Sequence, residues 1–120
     1  SGAKPDTETC PFLNDEFTVR KIKKAKELLF ESFSNPPTIT ELAKAIGLNE
    51  FQLKVGFKEI YGNSPYQYLL DHKLEIARQL LTQDKLQVGE VADRIGYANT
   101  SHFIAAFKRK YGLTPKKMNQ

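Results

Sequence analysis

ITELAKAIGLNEFQLKVGFKEIYGNSPYQY occupies residues 39–68, and VGEVADRIGYANTSHFIAAFKRKYGLTPKKM occupies residues 88–118. With one extra residue allowed in the second stretch just after its glycine, ten aligned positions are identical. These pairs are Glu41 with Glu90, Ala43 with Ala92, Ile46 with Ile95, Gly47 with Gly96, Asn49 with Asn99, Phe57 with Phe107, Lys58 with Lys108, Tyr61 with Tyr111, Gly62 with Gly112 and Pro65 with Pro115. A period of about 50 residues is compatible with a solenoid, but two copies are too few for a stable stack. The repeat therefore favours two copies of one small helical unit.

The first copy contains the signals for two short helices joined by a tight connection. Thr40 is expected to cap a helix over residues 41–46, because its hydroxyl can accept a hydrogen bond from a free amide of the first turn. Gly47 ends that helix, since glycine adopts the left-handed conformation at little cost. Asn49 then caps a second helix over residues 50–61. This order of elements is the helix-turn-helix plan.

The second copy follows the same plan. A helix over residues 88–95 ends at Gly96, and Asn99 is expected to cap the helix that follows. In both copies the second helix carries two apolar residues at a spacing of four, which predicts that they point inward. These inward pairs are Leu53 with Phe57 and Phe103 with Phe107. Small Ala43 and Ala92 allow the two helices of each unit to cross closely.

Helices are also predicted outside the two copies. Residues 15–33 form an amphipathic helix that begins at the capping residue Asp15 and stops before Asn35-Pro36-Pro37. Its apolar stripe contains Val19, Ile22, Ala25, Leu29 and Phe33, with Lys26 at its edge. Residues 65–82 form a long linking helix, which Asn63 or Ser64 can cap. Its apolar face contains Leu69, Leu70, Leu74, Ala77, Leu80 and Leu81.

The chain is basic once its first residues are set aside. The net charge is +4 over all 120 residues, but residues 1–16 contain one lysine and four acids. The rest holds 17 basic and 10 acidic side chains, a balance of +7. Such a balance favours a polyanionic partner, although a surface adapted only for solubility would also explain it. No apolar run approaches the roughly 20 residues of a membrane-spanning helix.

The two helix-turn-helix units resemble the DNA-binding domain of the AraC/XylS family. The resemblance covers about residues 19–118. It is carried by LAKAIGLN, LKVGFKEIYGNSPYQYLLDHKLEIARQLL, VADRIGY and HFIAAFKRKYGLTP. Each copy has the alanine and glycine of the first helix, the phenylalanine and basic residue of the second, and the Gly-x-Ser/Thr-Pro that follows. Lys73 and Met118-Asn119 depart from the family pattern, which usually has arginine and Tyr-Arg at these places, and this puts the packing of the last turn in question.

The resemblance implies an all-α fold of about seven helices over residues 15–120. The first helix-turn-helix unit would occupy about 39–62, and the second about 88–112. The linking helix would join them, and residues 1–14 would be a linker or leader. The implied function is sequence-specific binding of double-stranded DNA in a bacterial transcription regulator, with two recognition helices in successive major grooves. A linking helix of about 17 residues spans roughly 26 Å, so its connections or a bend in the DNA must supply the rest of the roughly 34 Å helical repeat.

The outward side chains of the two second helices are the candidate contacts to DNA. The candidates for base contacts are Phe51, Gln52, Lys54, Val55, Thr100, Ser101, His102 and Ala105. Gln52 suits adenine and Lys54 suits guanine, whereas Phe51 and Val55 offer apolar contact to thymine methyl groups. The family resemblance implies that Phe51 lies in the major groove. The alternative is that Phe51 is a partly buried aromatic residue. Glu50 also lies on the outward face of the first of these helices. The family often has a large residue where this sequence has the small Ala105, so the resemblance implies that the second unit discriminates bases less strictly.

Phosphate contacts are expected at helix N-termini, where free amides and the helix dipole favour anions, and at neighbouring cations. The candidates are Thr38, Thr40, Lys58, Asn63, Ser64, Lys108, Arg109 and Thr114, and Lys116 and Lys117 add charge.

No other chemistry is predicted. Cys10, His72 and His102 do not have the spacing of a metal site, and no phosphate-binding loop or nucleophile motif is present, so neither a cofactor nor an enzymatic activity is expected. A basic helical adaptor for acidic proteins is the alternative function, and it would not bind duplex DNA at moderate salt. The single cysteine favours a reducing cytoplasm. RNA polymerase is the further partner expected, and a sensor or dimerisation domain is expected outside this chain.

Overall fold

The computed structural model describes residues 15–120, so the predicted leader over residues 1–14, including Cys10, lies outside the described residues. Seven α-helices and no strand make up the described part, which confirms the all-α prediction. The helices are α1 (Glu16–Glu31), α2 (Ile39–Ile46), α3 (Glu50–Tyr61), α4 (Pro65–Thr82), α5 (Val88–Arg94), α6 (Thr100–Tyr111) and α7 (Pro115–Asn119). No helix in this range is long and apolar enough to cross a membrane.

The described chain divides into two compact units. Unit 1 contains the residues up to Ser32 and Pro36–Leu69, and unit 2 contains Phe33–Asn35 and Leu70–Gln120. Each unit therefore has one helix-turn-helix, formed by α2 and α3 in unit 1 and by α5 and α6 in unit 2. The linking helix α4 contributes its first residues to unit 1 and the remainder to unit 2.

The core of unit 1 forms because α1, α2 and α3 each bury one apolar face. The buried side chains are Ile22, Ala25, Leu29, Leu42, Ala43, Ile46, Leu53, Phe57 and Leu69. The α1 stripe differs from the prediction at its beginning: Thr18 is buried and Val19 is only half-buried. The Thr18 hydroxyl donates to the Asp15 carboxylate at 3.4 Å, so this buried polar group has a partner.

The end of α1 also differs from the prediction. The helix stops at Glu31 rather than at Phe33, and the Ser32 amide closes it by donating to the Leu28 carbonyl. Phe33 belongs to unit 2, where its ring lies 5.4 Å from Lys73 Nζ. Phe33, predicted as the last residue of the α1 stripe, is therefore part of unit 2 instead.

The start of α2 corrects the predicted cap. The N-cap is Thr38 rather than Thr40: its hydroxyl accepts from the Glu41 amide at 3.1 Å, and Glu41 accepts from the Thr38 amide at 2.9 Å. This reciprocal capping box satisfies two amides at once, which a cap at Thr40 would not do. Gly47 ends the helix in the left-handed conformation, with φ at 76°, as expected.

The core of unit 2 is built in the same way from α4, α5 and α6. Its buried side chains are Leu74, Ala77, Leu81, Val91, Ala92, Ile95, Phe103, Ala106 and Phe107. The helix α5 ends at Arg94, one residue before the prediction, and Ile95 forms its C-cap with a buried side chain. Gly96 follows with φ at 91° and packs directly against Ser34.

The last turn, where the sequence departs from the family pattern, is well packed within unit 2. Met118 packs against the core of the unit. The Asn119 side-chain amide donates to the Leu86 carbonyl at 2.8 Å, and Lys85 Nζ donates to the Asn119 carbonyl at 3.3 Å. Lys73 is half-buried, and its burial lowers the pKa of its ammonium group. Met118 and Asn119 therefore hold the last turn in place by their own contacts.

Candidate nucleic-acid interface

The helix α3 has a buried side and an outward side in unit 1. Leu53 and Phe57 are fully buried. Lys54 and Lys58 are exposed on the opposite side, and Phe51 is 69% exposed. A large aromatic ring left in solvent at a helix end is not part of the core, which removes the partly buried alternative for Phe51.

The first turn of α3 is fixed by a second capping box. Asn49 Oδ1 accepts from the Gln52 amide at 2.8 Å, and Gln52 Oε1 accepts from the Asn49 amide at 3.1 Å. Asn49 thus caps the helix as predicted. The Gln52 side chain is bound to the backbone amide of Asn49, so pairing with adenine through both its oxygen and its nitrogen requires Oε1 to leave this capping box.

A further hydrogen bond connects the two helices of this unit. The Thr40 hydroxyl on α2 donates to Glu50 Oε2 on α3 at 2.6 Å. The Thr40 side chain is therefore already engaged by a carboxylate, and it would have to leave Glu50 in order to bind a phosphate. The sequence predicts Glu50 on the outward face of α3, but no local pattern connects it with Thr40, which lies ten residues away.

Five of the predicted contact residues line one apolar groove of about 720 Å³ in unit 1. They are Thr38, Lys54, Val55, Lys58 and Ser64. One wall is fixed by Tyr66, whose hydroxyl donates to the Pro37 carbonyl. Burial, and secondarily the negative Glu41, raise the pKa of Tyr66, so this hydroxyl keeps its proton at neutral pH. The groove therefore brings together cations from the recognition helix and polar groups from two other helix starts.

The N-terminus of α4 is held by Ser64. Its hydroxyl accepts from the Gln67 amide at 3.4 Å, whereas Asn63 Oδ1 accepts from the Ser64 amide at 3.2 Å. Of the two capping candidates, the structure therefore uses Ser64, and Asn63 stabilises the turn before it.

Unit 2 presents a continuous exposed face on α6. Asn99 Oδ1 accepts from the His102 amide at 3.2 Å and caps the helix, as predicted. Phe103, Ala106 and Phe107 form its buried side. The predicted contact residues are all exposed; they are Thr100, Ser101, His102, Ala105, Lys108 and Arg109. Thr114 lies at the next helix start, where its hydroxyl accepts from the Lys117 amide at 3.3 Å.

The end of α6 is joined to α4 by a polar network inside unit 2. The Tyr111 hydroxyl donates to Glu75 Oε1 at 3.0 Å, and Arg78 Nε donates to the same oxygen at 3.3 Å. Hydrogen bonds from Arg78 and Tyr111 lower the pKa of Glu75. Burial, together with the bond to Glu75, raises the pKa of Tyr111 to about 12. The network was not predicted, because its partners lie 36 residues apart in the sequence.

The two units share their internal geometry as well as their sequence. The rings of Phe57 and Tyr61 are 4.7 Å apart in unit 1, and the rings of Phe107 and Tyr111 are 4.7 Å apart in unit 2. In each unit the exposed lysine that follows the buried phenylalanine is on the outward side of the second helix. Among the described residues, neither Lys58 nor Lys108 forms an ion pair.

Comparison with known proteins identifies this arrangement. A sequence model of the helix-turn-helix domain family, of AraC type, matches residues 42–120. The chain belongs to the AraC-type helix-turn-helix family. It is 35% identical to the HTH-type transcriptional regulator YidL of Escherichia coli K12 over 96 residues, which cover 80% of this chain and 32% of that protein.

Two solved structures have the same fold. The C-terminal domain of the response regulator yesN from Fusobacterium nucleatum is 28% identical, with a TM-score of 0.72, over 82% of this chain and 96% of that one. A regulator with an AraC-type DNA-binding domain from Chromobacterium violaceum is 25% identical, also with a TM-score of 0.72, over 88% of this chain and 94% of that one. The AraC-type chain described here is thus a DNA-binding domain of a transcription regulator.

The AraC-type chain spans only part of its relatives. It covers 32% of the length of YidL, 43% of LumQ from Photobacterium leiognathi and 20% of the xylose operon regulatory protein of Escherichia coli K12. Within the described residues, no group of three or more His, Cys, Asp or Glu side chains is arranged to hold a metal ion.

Proposed function

We propose that this AraC-type domain binds duplex DNA sequence-specifically, with α3 and α6 as recognition helices in successive major grooves. The observation that carries the proposal is the same in both units. The second helix buries a phenylalanine, Phe57 or Phe107, on one side and leaves the opposite side exposed. A helix in the major groove contacts base edges with its N-terminal residues and phosphates with cations farther along. The exposed side chains of α3 and α6 follow this order.

The proposed base contacts are the residues predicted from the sequence, but Lys54 now ranks above Gln52. In unit 1 they are Phe51, Gln52, Lys54 and Val55, and in unit 2 they are Thr100, Ser101, His102 and Ala105. Lys54 is favoured over Gln52 as a directional contact, because the capping box engages the Gln52 side chain. A bidentate contact to a base edge discriminates by about 1–3 kcal/mol.

The proposed phosphate contacts surround these helices. In unit 1 they are Thr38, Thr40, Lys58, Asn63 and Ser64, and in unit 2 they are Lys108, Arg109 and Thr114. Because Thr38, Lys58 and Ser64 line the same groove of unit 1, we expect them to contact phosphates of the same DNA strand. The engagement of Thr40 by Glu50 makes Thr40 the weakest member of the set.

We extend the proposal to the rest of the regulator, its compartment and its partner. The short share of the relatives' length that this chain covers supports a sensor or dimerisation domain elsewhere in the protein. A regulator of transcription works on DNA in the bacterial cytoplasm, and RNA polymerase is its expected further partner. We also propose that the domain has no catalytic activity.

The test is selection of bound sequences from a random pool of duplex DNA, followed by affinity measurements on the recovered site. We expect two separate sequence motifs, one for each unit. Lys58→Ala should weaken binding several-fold. Lys23→Ala, which removes the same charge from the exposed face of α1, should have little effect. A pool with no enriched sequence, together with binding to acidic proteins, would instead support the adaptor function.

A further inference from the structure

Glu50 is an acidic side chain on the proposed DNA-binding face, where cations usually increase the affinity for DNA. It is the first residue of the recognition helix α3, next to the exposed Phe51. A carboxylate here repels phosphates and lowers affinity for DNA in general. Its charge interacts favourably with the dipole at the start of α3, but this interaction is weak at the surface of a protein.

The carboxylate is held by the neighbouring helix and not by a lysine of its own helix. Lys54 lies one turn along the same helix, at the spacing where an ion pair with Glu50 would form. Among the described residues no such ion pair is present. Instead the Thr40 hydroxyl donates to Glu50 Oε2 at 2.6 Å, a short, charge-assisted bond from a stiff β-branched side chain. Lys54 therefore stays available to DNA, and Glu50 keeps acceptor capacity on Oε1.

The second unit shows that this pair is not needed to build the fold. In the aligned repeat, Glu50 corresponds to Thr100, and Thr40 corresponds to Gly89. Unit 2 thus forms the same helix-turn-helix without either member of the pair. A requirement of the fold would apply to both copies. We therefore infer that the pair serves a function specific to unit 1.

We propose that Glu50 is a specificity-determining residue that selects cytosine in the half-site of unit 1, and that Thr40 is the positioning residue that holds its carboxylate. The inference rests on the proposed function and assigns Thr40 a role other than a phosphate contact. A carboxylate only accepts hydrogen bonds. In the major groove it is repelled by the acceptors of guanine and by O4 of thymine, and next to the adenine amine it meets the acceptor N7. The cytosine N4 amine offers a donor without such a neighbour on the same base.

The experiment selects bound sites from random duplex DNA with the wild-type domain and with Glu50→Gln, Thr40→Val and Thr40→Ser. The wild type should show cytosine at one position of the first motif. Glu50→Gln should lose that preference by about tenfold and shift it toward adenine, because glutamine pairs with the adenine N6 and N7. Thr40→Val should weaken the cytosine preference several-fold without the shift, and Thr40→Ser, which keeps the hydroxyl, should restore it.

The controls separate specificity from charge and folding. Glu90→Gln removes one negative charge from α5 and should leave every base preference unchanged. Thermal melting of each variant establishes that it is folded, and Thr40→Ala, which also removes the hydroxyl, serves in place of Thr40→Val if the latter unfolds. The proposal is overturned if Glu50→Gln raises affinity equally for all sequences and leaves the selected motif unchanged. A wild-type domain that selects no sequence at all would overturn the proposed function as well.

Discussion

At the scale of single residues, Gly96 combines two constraints that most glycines of this chain do not share. Its φ of 91° lies in the left-handed region, and a Cβ placed on it would come within 2.8 Å of the Ser34 Cα and 2.9 Å of the Ser34 carbonyl oxygen. Gly112 has a similar φ of 80°, but a Cβ there would meet nothing within 4 Å. The first position therefore requires glycine for space as well as for conformation.

We expect Gly96→Ala to destabilise the domain by about 3 kcal/mol, because backbone strain and overpacking add. Gly112→Ala should cost only about 1 kcal/mol, since the strain of the left-handed conformation acts alone. Urea unfolding followed by circular dichroism measures both values. Equal losses at the two positions would show that Ser34 moves away freely and that its contact with Gly96 has no energetic weight.

At the scale of elements, the recognition helices should contribute unequally to sequence choice. Lys54 on α3 is exposed and suits a guanine edge, whereas Arg109 on α6 lies where a phosphate is the expected partner. Lys54→Ala should relax base preference at one position of one half-site. Arg109→Ala should weaken binding to all sequences alike.

The comparison requires affinities of both variants for a panel of single-base variants of the selected site. A change of preference at one base pair with Arg109→Ala, together with a uniform loss with Lys54→Ala, would reverse the assignment. The second helix would then be the stricter of the two in choosing bases.

The contact between α4 and α6 through Glu75 should depend on pH. The pKa of Glu75 is lowered from its ordinary value of 4.5 by hydrogen bonds from Arg78 and Tyr111. A lowered pKa means that the folded state favours the ionised carboxylate. The resulting stability is therefore full above pH 4.5 and is lost as the pH falls through the lower folded-state pKa.

Glu75→Gln should consequently be less stable than the wild type at neutral pH, and the difference should shrink in acid. Tyr111→Phe should reduce the same acid dependence in part, because it removes one of the two hydrogen bonds. Chemical unfolding over a series of pH values gives the differences. A constant gap between wild type and Glu75→Gln at every pH would mean that the network does not favour the ionised carboxylate.

At the scale of the whole molecule, the balance of +7 over residues 17–120 should make DNA binding depend strongly on salt. Each phosphate contact releases condensed counterions, so the logarithm of the association constant should fall with the logarithm of salt with a slope of about −0.9 per contact. Lys58→Ala should reduce the steepness of this slope by about one contact, whereas Lys54→Ala should change it less if Lys54 binds a base edge. Titrations by fluorescence anisotropy measure these slopes. An affinity that stays flat from low to moderate salt would contradict a phosphate-based interface.

The sequence by itself determined the repeat, the helical class and the buried side of each recognition helix. Periodicity and helix-end residues are local signals, so Asn49, Gly47 and the inward phenylalanines could be assigned without tertiary information. The cap at Thr38 was missed because Thr38 and Thr40 are both suitable residues. Glu41, three residues after Thr38, completes a capping box; the sequence already contains this spacing, which Thr40 lacks.

The tertiary structure decided the features that depend on residues distant in sequence. The bond from Thr40 to Glu50, the link from Tyr111 to Glu75 and the contact of Gly96 with Ser34 each join side chains or backbone that no local pattern connects. The capping box of Gln52 with Asn49 is different, because it is a local contact over three residues that was not assigned from the sequence. Hydrophobic periodicity determines which face of a helix is buried, but hydrogen bonds across helices depend on geometry that forms only when the core has packed.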